Sequence, residues 1–147
     1  MSTIMRKVNI LSRAEAVYRS DRLSSSTLSP CHHSYILAIT GNPGLTQDEL
    51  AKHLCVNKSS VTRQISYLEE HGYVSRVSSE SDKRSFRLFP TDKMTNVLPE
   101  VRNIVLGWND YLGSALSNDE YDTLHFLLDK IIAKAEKYVS NREEMSK

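Results

Sequence analysis

A mainly α chain with one small antiparallel β-hairpin is the fold class this sequence predicts, and three observations predict it. Apolar residues recur at three- and four-residue steps along most of the 147 residues. Two short, capped helical segments meet through a tight turn at Cys55-Val56. Only the stretch 73–89 places residues rich in aromatic and β-branched types on both sides of a polar tip.

The elements follow in order. Ile4, Val8 and Leu11, then Ala14, Val17 and Tyr18, predict an amphipathic first helix that ends before the serine run at 24–26. Ser29 is expected to cap a second helix with Pro30 at its first position, where the missing amide hydrogen costs nothing, and Tyr35, Ile36 and Ile39 form its apolar side. Gly41-Asn42-Pro43-Gly44 stops it. Thr46-Gln47-Asp48-Glu49 has the spacing of a capping box and opens a helix of about three turns, with Leu50, Ala51 and Leu54 inward. Asn57 then caps a further helix whose Val61, Ile65 and Leu68 share one stripe, and His71-Gly72 ends it, glycine suiting a left-handed stop.

Tyr73 to Val77 and Ser85 to Phe89 read as two strands, with Ser78 to Arg84 at the tip and Phe86 and Leu88 facing the core. Pro90 ends the second strand. Beyond Thr91, Val97 or Leu98, Val101, Ile104, Val105, Trp108, Tyr111 or Leu112 and Ala115 keep helical spacing, with Pro99 expected to kink or restart the helix and Gly107 and Gly113 to weaken it. Ser117-Asn118-Asp119-Glu120 is a second capping box, and Leu124, Leu128, Ile131, Ala135 and Tyr138 after it form a coiled-coil-like seam. The residues from Ser140 to Lys147 read as a tail too polar to pack.

The length and the 39% hydrophobic content fit one ordinary soluble domain. Two cysteines, and no secretory pattern at the start, favour a reducing cytoplasm. No apolar stretch approaches the roughly 20 residues of a membrane span. A formal charge of +1 gives no basic footprint of the kind many nucleic-acid binders carry, so any such function depends on where the charges sit.

Helix, tight turn, helix and hairpin is the order of a winged helix-turn-helix, in which the second helix enters the major groove and the hairpin tip the neighbouring minor groove. The second helix here carries Lys58, Ser59, Ser60, Thr62, Arg63 and Gln64 and has no acidic residue from Asn57 through Leu68, a composition suited to a polyanion. The tip supplies Asp82, Lys83 and Arg84, and Arg87 points outward if its neighbours face the core. Each feature alone is also what an ordinary amphipathic helix or a solvated turn presents. Their order along the chain favours duplex DNA as the partner.

Gly44-Leu45-Thr46-Gln47-Asp48-Glu49-Leu50-Ala51, Asn57-Lys58-Ser59-Ser60-Val61-Thr62-Arg63, Leu68-Glu69-Glu70-His71-Gly72-Tyr73-Val74 and the tip's Asp82-Lys83-Arg84 resemble the multiple-antibiotic-resistance regulator (MarR) family of winged helix-turn-helix repressors. The resemblance implies a homodimeric, sequence-specific repressor on a pseudo-palindromic operator. Residues 1–28 and 92–139 would supply dimerisation helices, 29–91 the winged lobe and 140–147 a flexible tail. Thr46, Gln47 and the residues from Asn57 onward would face DNA, with Arg84 in the minor groove oriented by Asp82. Cys55 departs from the glycine or similarly small residue usual in the inter-helix turn. Phe89-Pro90-Thr91-Asp92-Lys93-Met94 follows only loosely the leucine-threonine-x-x-glycine exit from the wing.

The family often binds small aromatic acids, for which Tyr35, Trp108 and Tyr111 are candidates, although aromatics at helical spacing are also ordinary core. Cys31, expected in the first turn of the second helix, is a redox candidate, since free amides and the helix dipole favour a thiolate there. Family members that sense peroxide carry their thiol near the start of the first helix instead. Cys31, His32 and His33 have metal-ligand atoms, but neighbours on a helix point about 100° apart and cannot close on one ion, so neither metal nor cofactor is expected. Rival functions are an enzyme, for which no phosphate loop, G-x-S-x-G or H-E-x-x-H occurs, and a winged helix that binds protein, which would need an apolar or charge-mixed recognition face.

Overall fold

The computed structural model describes residues 3–78, 80, 81 and 85–145. Its element order is α1 (Ile4–Ser20), α2 (His32–Gly41), β1 (Leu45–Thr46), α3 (Gln47–Leu54), α4 (Lys58–Glu70), β2 (Val74–Ser78), β3 (Phe86–Pro90), α5 (Asp92–Gly113) and α6 (Asn118–Met145). The chain divides into two compact units, Met1–Trp108 and Asn109–Lys147, with α5 running through the boundary.

The core of the first unit gathers the inward residues that periodicity marks. Ile36, Ile39, Leu50, Val61, Ile65, Leu68, Leu88 and Met94 are almost wholly buried and pack with Tyr35, Tyr73, Val74 and Val101. Each aliphatic side chain so buried contributes about 1.5–3 kcal/mol. The strands form a three-stranded antiparallel sheet in the order β1-β3-β2, pairing Leu45 with Leu88 and Arg76 with Leu88 on the other side. Sequence periodicity predicts only the hairpin. The third strand is two residues long and exists because residues 45 and 46 lie beside β3.

Helix ends show how local chemistry fixes this lobe. Thr46 accepts from the Glu49 amide while the Glu49 carboxylate accepts from the Thr46 amide, the reciprocal box expected. Helix α3 is shorter than expected, eight residues or about two turns. At its end Val56 N–H donates to Ala51 carbonyl and Cys55 N–H to Lys52 carbonyl, with Cys55 left-handed at φ 54°. Helix α4 ends the same way, Tyr73 N–H reaching Leu68 carbonyl and Gly72 N–H reaching Glu69 carbonyl, with Gly72 at φ 77°. Both are the paired-bond stop that a left-handed residue permits.

Several expectations are corrected. Ser29 does not cap α2, and Pro30 lies outside it. The Ser29 amide donates to His32 Nδ1, the intervening residues form a turn, and the helix starts at His32. Phe86 is exposed, because it pairs with Ser78 at the far end of the ladder, where the lobe has nothing to cover it. Pro99 sits inside one continuous α5 rather than restarting it. Helix α6 runs on to Met145, which leaves untouched the expectation that the stretch from Ser140 is too polar to pack.

Arg19 anchors the end of α1, a contact that sequence spacing does not announce. Its guanidinium donates to the Pro30 carbonyl at 2.6 Å and to His33 Nε2 at 2.9 Å, while Glu15 pairs with it at 3.5 Å. Further along, Tyr18 packs on Trp108 with ring centroids 5.0 Å apart. A β-carbon on Gly107 would lie 2.7 Å from the Tyr18 hydroxyl, so glycine allows that approach. In the second unit the box at Ser117 and Glu120 opens α6, whose Leu124, Leu128, Ile131 and Tyr138 are all exposed. Among the described residues, no helix is long and apolar enough to cross a membrane.

Candidate nucleic-acid interface

Helix α4 is held against the lobe by Val61, Ile65 and Leu68, each fully buried, which turns Ser59, Thr62 and Arg63 outward. Asn57 starts it from an extended conformation, its side-chain oxygen accepting from the Ser60 amide at 2.7 Å and from the Ser59 hydroxyl at 2.8 Å. A substitution that loses such a cap costs about 1 kcal/mol. Asn57 and Thr46 are thus occupied as helix caps.

Two bridges tie α3 to α4. Lys58 Nζ lies 3.0 Å from Asp48 Oδ2, and Thr62 Oγ lies 3.1 Å from Gln47 Oε1 while also donating to the Lys58 carbonyl. Arg63 is exposed on the outer face. Its charge opposes the rise in the Tyr35 pKa, which comes first from burial and then from Cys31. On the lobe side Arg76 of β2 donates to Ser66 Oγ and pairs with Glu69, each at 3.0 Å, so β2 is clamped to the rear of α4. Arg87, outward as expected, donates to the Gly44 carbonyl at 2.9 Å. Asp82, Lys83 and Arg84 lie outside the described residues.

Gln64 corrects the expected exposed face. It is half-buried on the flank of α4 that meets α2, its Oε1 2.9 Å from His32 Nε2. His32 is itself buried at 4% exposure and stacks on Tyr67, which stacks in turn on His71. Burial holds the His32 pKa below its usual value against the opposing hydrogen bond from Gln64. His33 is lowered likewise, first by burial and then by the Arg19 charge. Sequence reasoning missed His32 as a neighbour of α4, although the three- and four-residue offsets of Gln64 from Val61 and Leu68 mark its flank as inward.

Of the remaining candidates, Tyr35 and Trp108 have packing roles on view. Tyr35 is buried in the core, Trp108 packs on Tyr18, and Tyr111 is exposed in the second unit. Cys31 is exposed and directly precedes α2 without capping it, with Sγ 3.0 Å from Ser29 Oγ and 3.9 Å from Gln64 Oε1. Among the described residues no group of three or more His, Cys, Asp or Glu side chains could hold a metal ion.

Comparison with known proteins gives this arrangement its family. The MarR family model matches residues 28–86, the span from the entry into α2 to the first residue of β3. The HTH-type transcriptional regulator YybA of Bacillus subtilis is 27% identical over 89% of this chain and 87% of its own length. A MarR protein of Peptoclostridium difficile, 28% identical, superposes with a TM-score of 0.89 over 93% of this chain and 90% of that one. A MarR-family transcriptional regulator of Listeria monocytogenes, solved with a 26-mer DNA, is 24% identical and superposes at 0.84 over 96% of each chain. With a capped helix pair, a three-stranded sheet and this match between them, the chain carries a MarR-family winged helix-turn-helix domain over residues 28–86 and resembles transcriptional regulators of that family along most of its length.

Proposed function

We propose that the protein is a homodimeric, cytoplasmic repressor that binds a pseudo-palindromic duplex operator through α4 and the wing, without catalysis, and releases it to a small aromatic effector. The observation that carries the reading is α4 itself: capped by Asn57, free of acidic residues over its first three turns, and turning Ser59, Thr62 and Arg63 away from a fully buried stripe. Hydroxyls and a guanidinium on such a face can donate to phosphates and read guanine edges. The similar Listeria regulator was solved with DNA, which supports the same partner for this chain. In this reading Lys58, Lys83 and Arg84 bring charge to phosphates or the minor groove, and Gln47 and Ser60 border the contact.

Homodimerisation is supported by the apolar residues that α1 and α6 each leave exposed: Ile4, Val8 and Leu11 on one, and Leu124, Leu128 and Ile131 on the other. A two-fold dimer sets half-site centres about one DNA turn, roughly 10 base pairs, apart. The test selects duplexes from a randomised pool with the full chain, then titrates the selected and a scrambled duplex at several salt concentrations. Arg63→Ala is expected to lose about 1–3 kcal/mol on the selected duplex only. Equal losses on both duplexes reassign Arg63 to the backbone, and a parent chain that enriches no duplex overturns the reading.

A further inference from the structure

Two side-chain amides border the outer face of α4, and only one has its polarity fixed. Thr62 Oγ sits 3.1 Å from Gln47 Oε1 and 3.0 Å from the Lys58 carbonyl, so its single proton can satisfy the carbonyl and leave the Gln47 amide free to turn either way. Gln64 has no such freedom. The group beside His32 Nδ1 is the Ser29 backbone N–H, 3.0 Å away, which can only donate. Nδ1 must therefore accept, the ring proton belongs on Nε2, and the Gln64 atom 2.9 Å from Nε2 must be the carbonyl oxygen. The constraint passes from a backbone amide through a buried imidazole to one flank of the helix that follows Asn57.

We propose that His32 is a specificity-determining positioning residue: by donating to the Gln64 oxygen, it fixes which way the amide faces and so which base edge Gln64 can read. This deepens the DNA-binding reading above and rests on it. A free glutamine pairs bidentately with adenine, accepting from N6 and donating to N7. A glutamine whose oxygen already accepts from Nε2 keeps one lone pair but can no longer turn over to exchange its oxygen and nitrogen, so it meets a base edge in one orientation only. Gln64 thus favours one base edge at one position of each half-site. His32 never touches the DNA.

The test has two arms on the full chain. In the first, nitrogen-15 spectra of the imidazoles assign the His32 tautomer, and protonation on Nε2 with an unprotonated Nδ1 is expected. The opposite tautomer overturns the proposal whatever the variants do. In the second, a randomised duplex pool is selected with the parent, Gln64→Ala and His32→Leu, and preferences are compared position by position. The parent is expected to prefer one base over the others about five- to tenfold at one position per half-site. Gln64→Ala should abolish that preference, and His32→Leu should reduce it below about twofold, other positions unchanged. If Gln64→Ala leaves every preference intact, the amide only braces α2 against α4 and the proposal is wrong, while DNA binding stands. A uniform loss across all positions for His32→Leu likewise assigns His32 a purely structural role. A parent that enriches nothing removes the DNA-binding reading and this inference with it.

Discussion

Replacing Cys55 with glycine should stabilise the protein, because α3 and α4 close with the same stop but only one of them has the residue the stop favours. Gly72 occupies the left-handed position after α4, and Cys55 occupies its counterpart after α3 at φ 54° and ψ 39°. A side chain in that region costs about 1–2 kcal/mol. Glycine removes this cost but gives back about 0.5–1 kcal/mol through the greater freedom of its unfolded backbone. The thiol is exposed and lies 3.6 Å from the Lys52 carbonyl, a weak contact that adds little. Cys55→Gly should therefore gain about 0.5–1 kcal/mol, a rise in Tm of about 1–4 °C for a chain of this size. Cys55→Ala is the control, since it loses the thiol and keeps the strain. Both are measured by thermal and denaturant unfolding at one fixed protein concentration, because a dimer's midpoint moves with concentration. If Cys55→Gly is no more stable than Cys55→Ala, left-handed strain at this turn is not the governing cost.

Stability should also fall as pH drops below the ordinary histidine range. Burial lowers the folded pKa of both His32 and His33 from 6.5, so the unfolded chain takes up protons first, and stability present above about pH 6.5 is lost as pH falls below it. Denaturant midpoints at about pH 7.5 and 5.5 check this, and a higher midpoint at the lower value refutes it. Leu128→Asp should break the dimer or unfold it, an unpaired buried charge costing about 3 kcal/mol or more, about a hundredfold in dissociation constant. Light scattering reads the mass, and an unchanged folded dimer excludes this stripe of α6 as the interface. Asp48→Asn frees Lys58 from its carboxylate partner. It should strengthen binding to any duplex and steepen the log–log salt dependence by up to about 0.9. An unchanged slope means that Lys58 does not reach a phosphate.

The elements legible in the sequence are those whose stability is local or periodic. Val61, Ile65 and Leu68 repeat at helical spacing and are all fully buried, and the boxes at Thr46 and Ser117 form with the partners their spacing names. What was illegible depends on a neighbour distant in sequence. Strand β1 has no period of its own and owes its conformation to Leu88 and Arg87 across the sheet. Ser29 obeys the composition rule for a cap, but the His32 ring takes up its amide and the helix starts later. Alternation correctly puts Leu88 inside and fails at Phe86, because the same strand outruns the core it lies on.

The same division governs the candidate site, with a consequence for how a chain of formal charge +1 can recognise a polyanion. Composition identifies which residues of α4 are polar but not which have been spent on holding the lobe together. Asn57 is committed to the cap, Gln64 to His32, and Ser66 and Glu69 to Arg76. Lys58 is different in kind. Its side chain and that of Asp48 are 74% and 63% exposed, and a pair so open to solvent is worth about 0–1 kcal/mol, little enough for a phosphate to replace the carboxylate. The buried His32 fixes the orientation of the Gln64 amide, and that neutral contact does not depend on ionic strength as an exposed ion pair does. Specificity on this helix therefore belongs with Arg63 and the braced amide, and affinity with the exchangeable lysine. Counting charges cannot separate these roles, because Arg63 and Lys58 each add one unit, and among the described residues only the second has an ion-pair partner to give up.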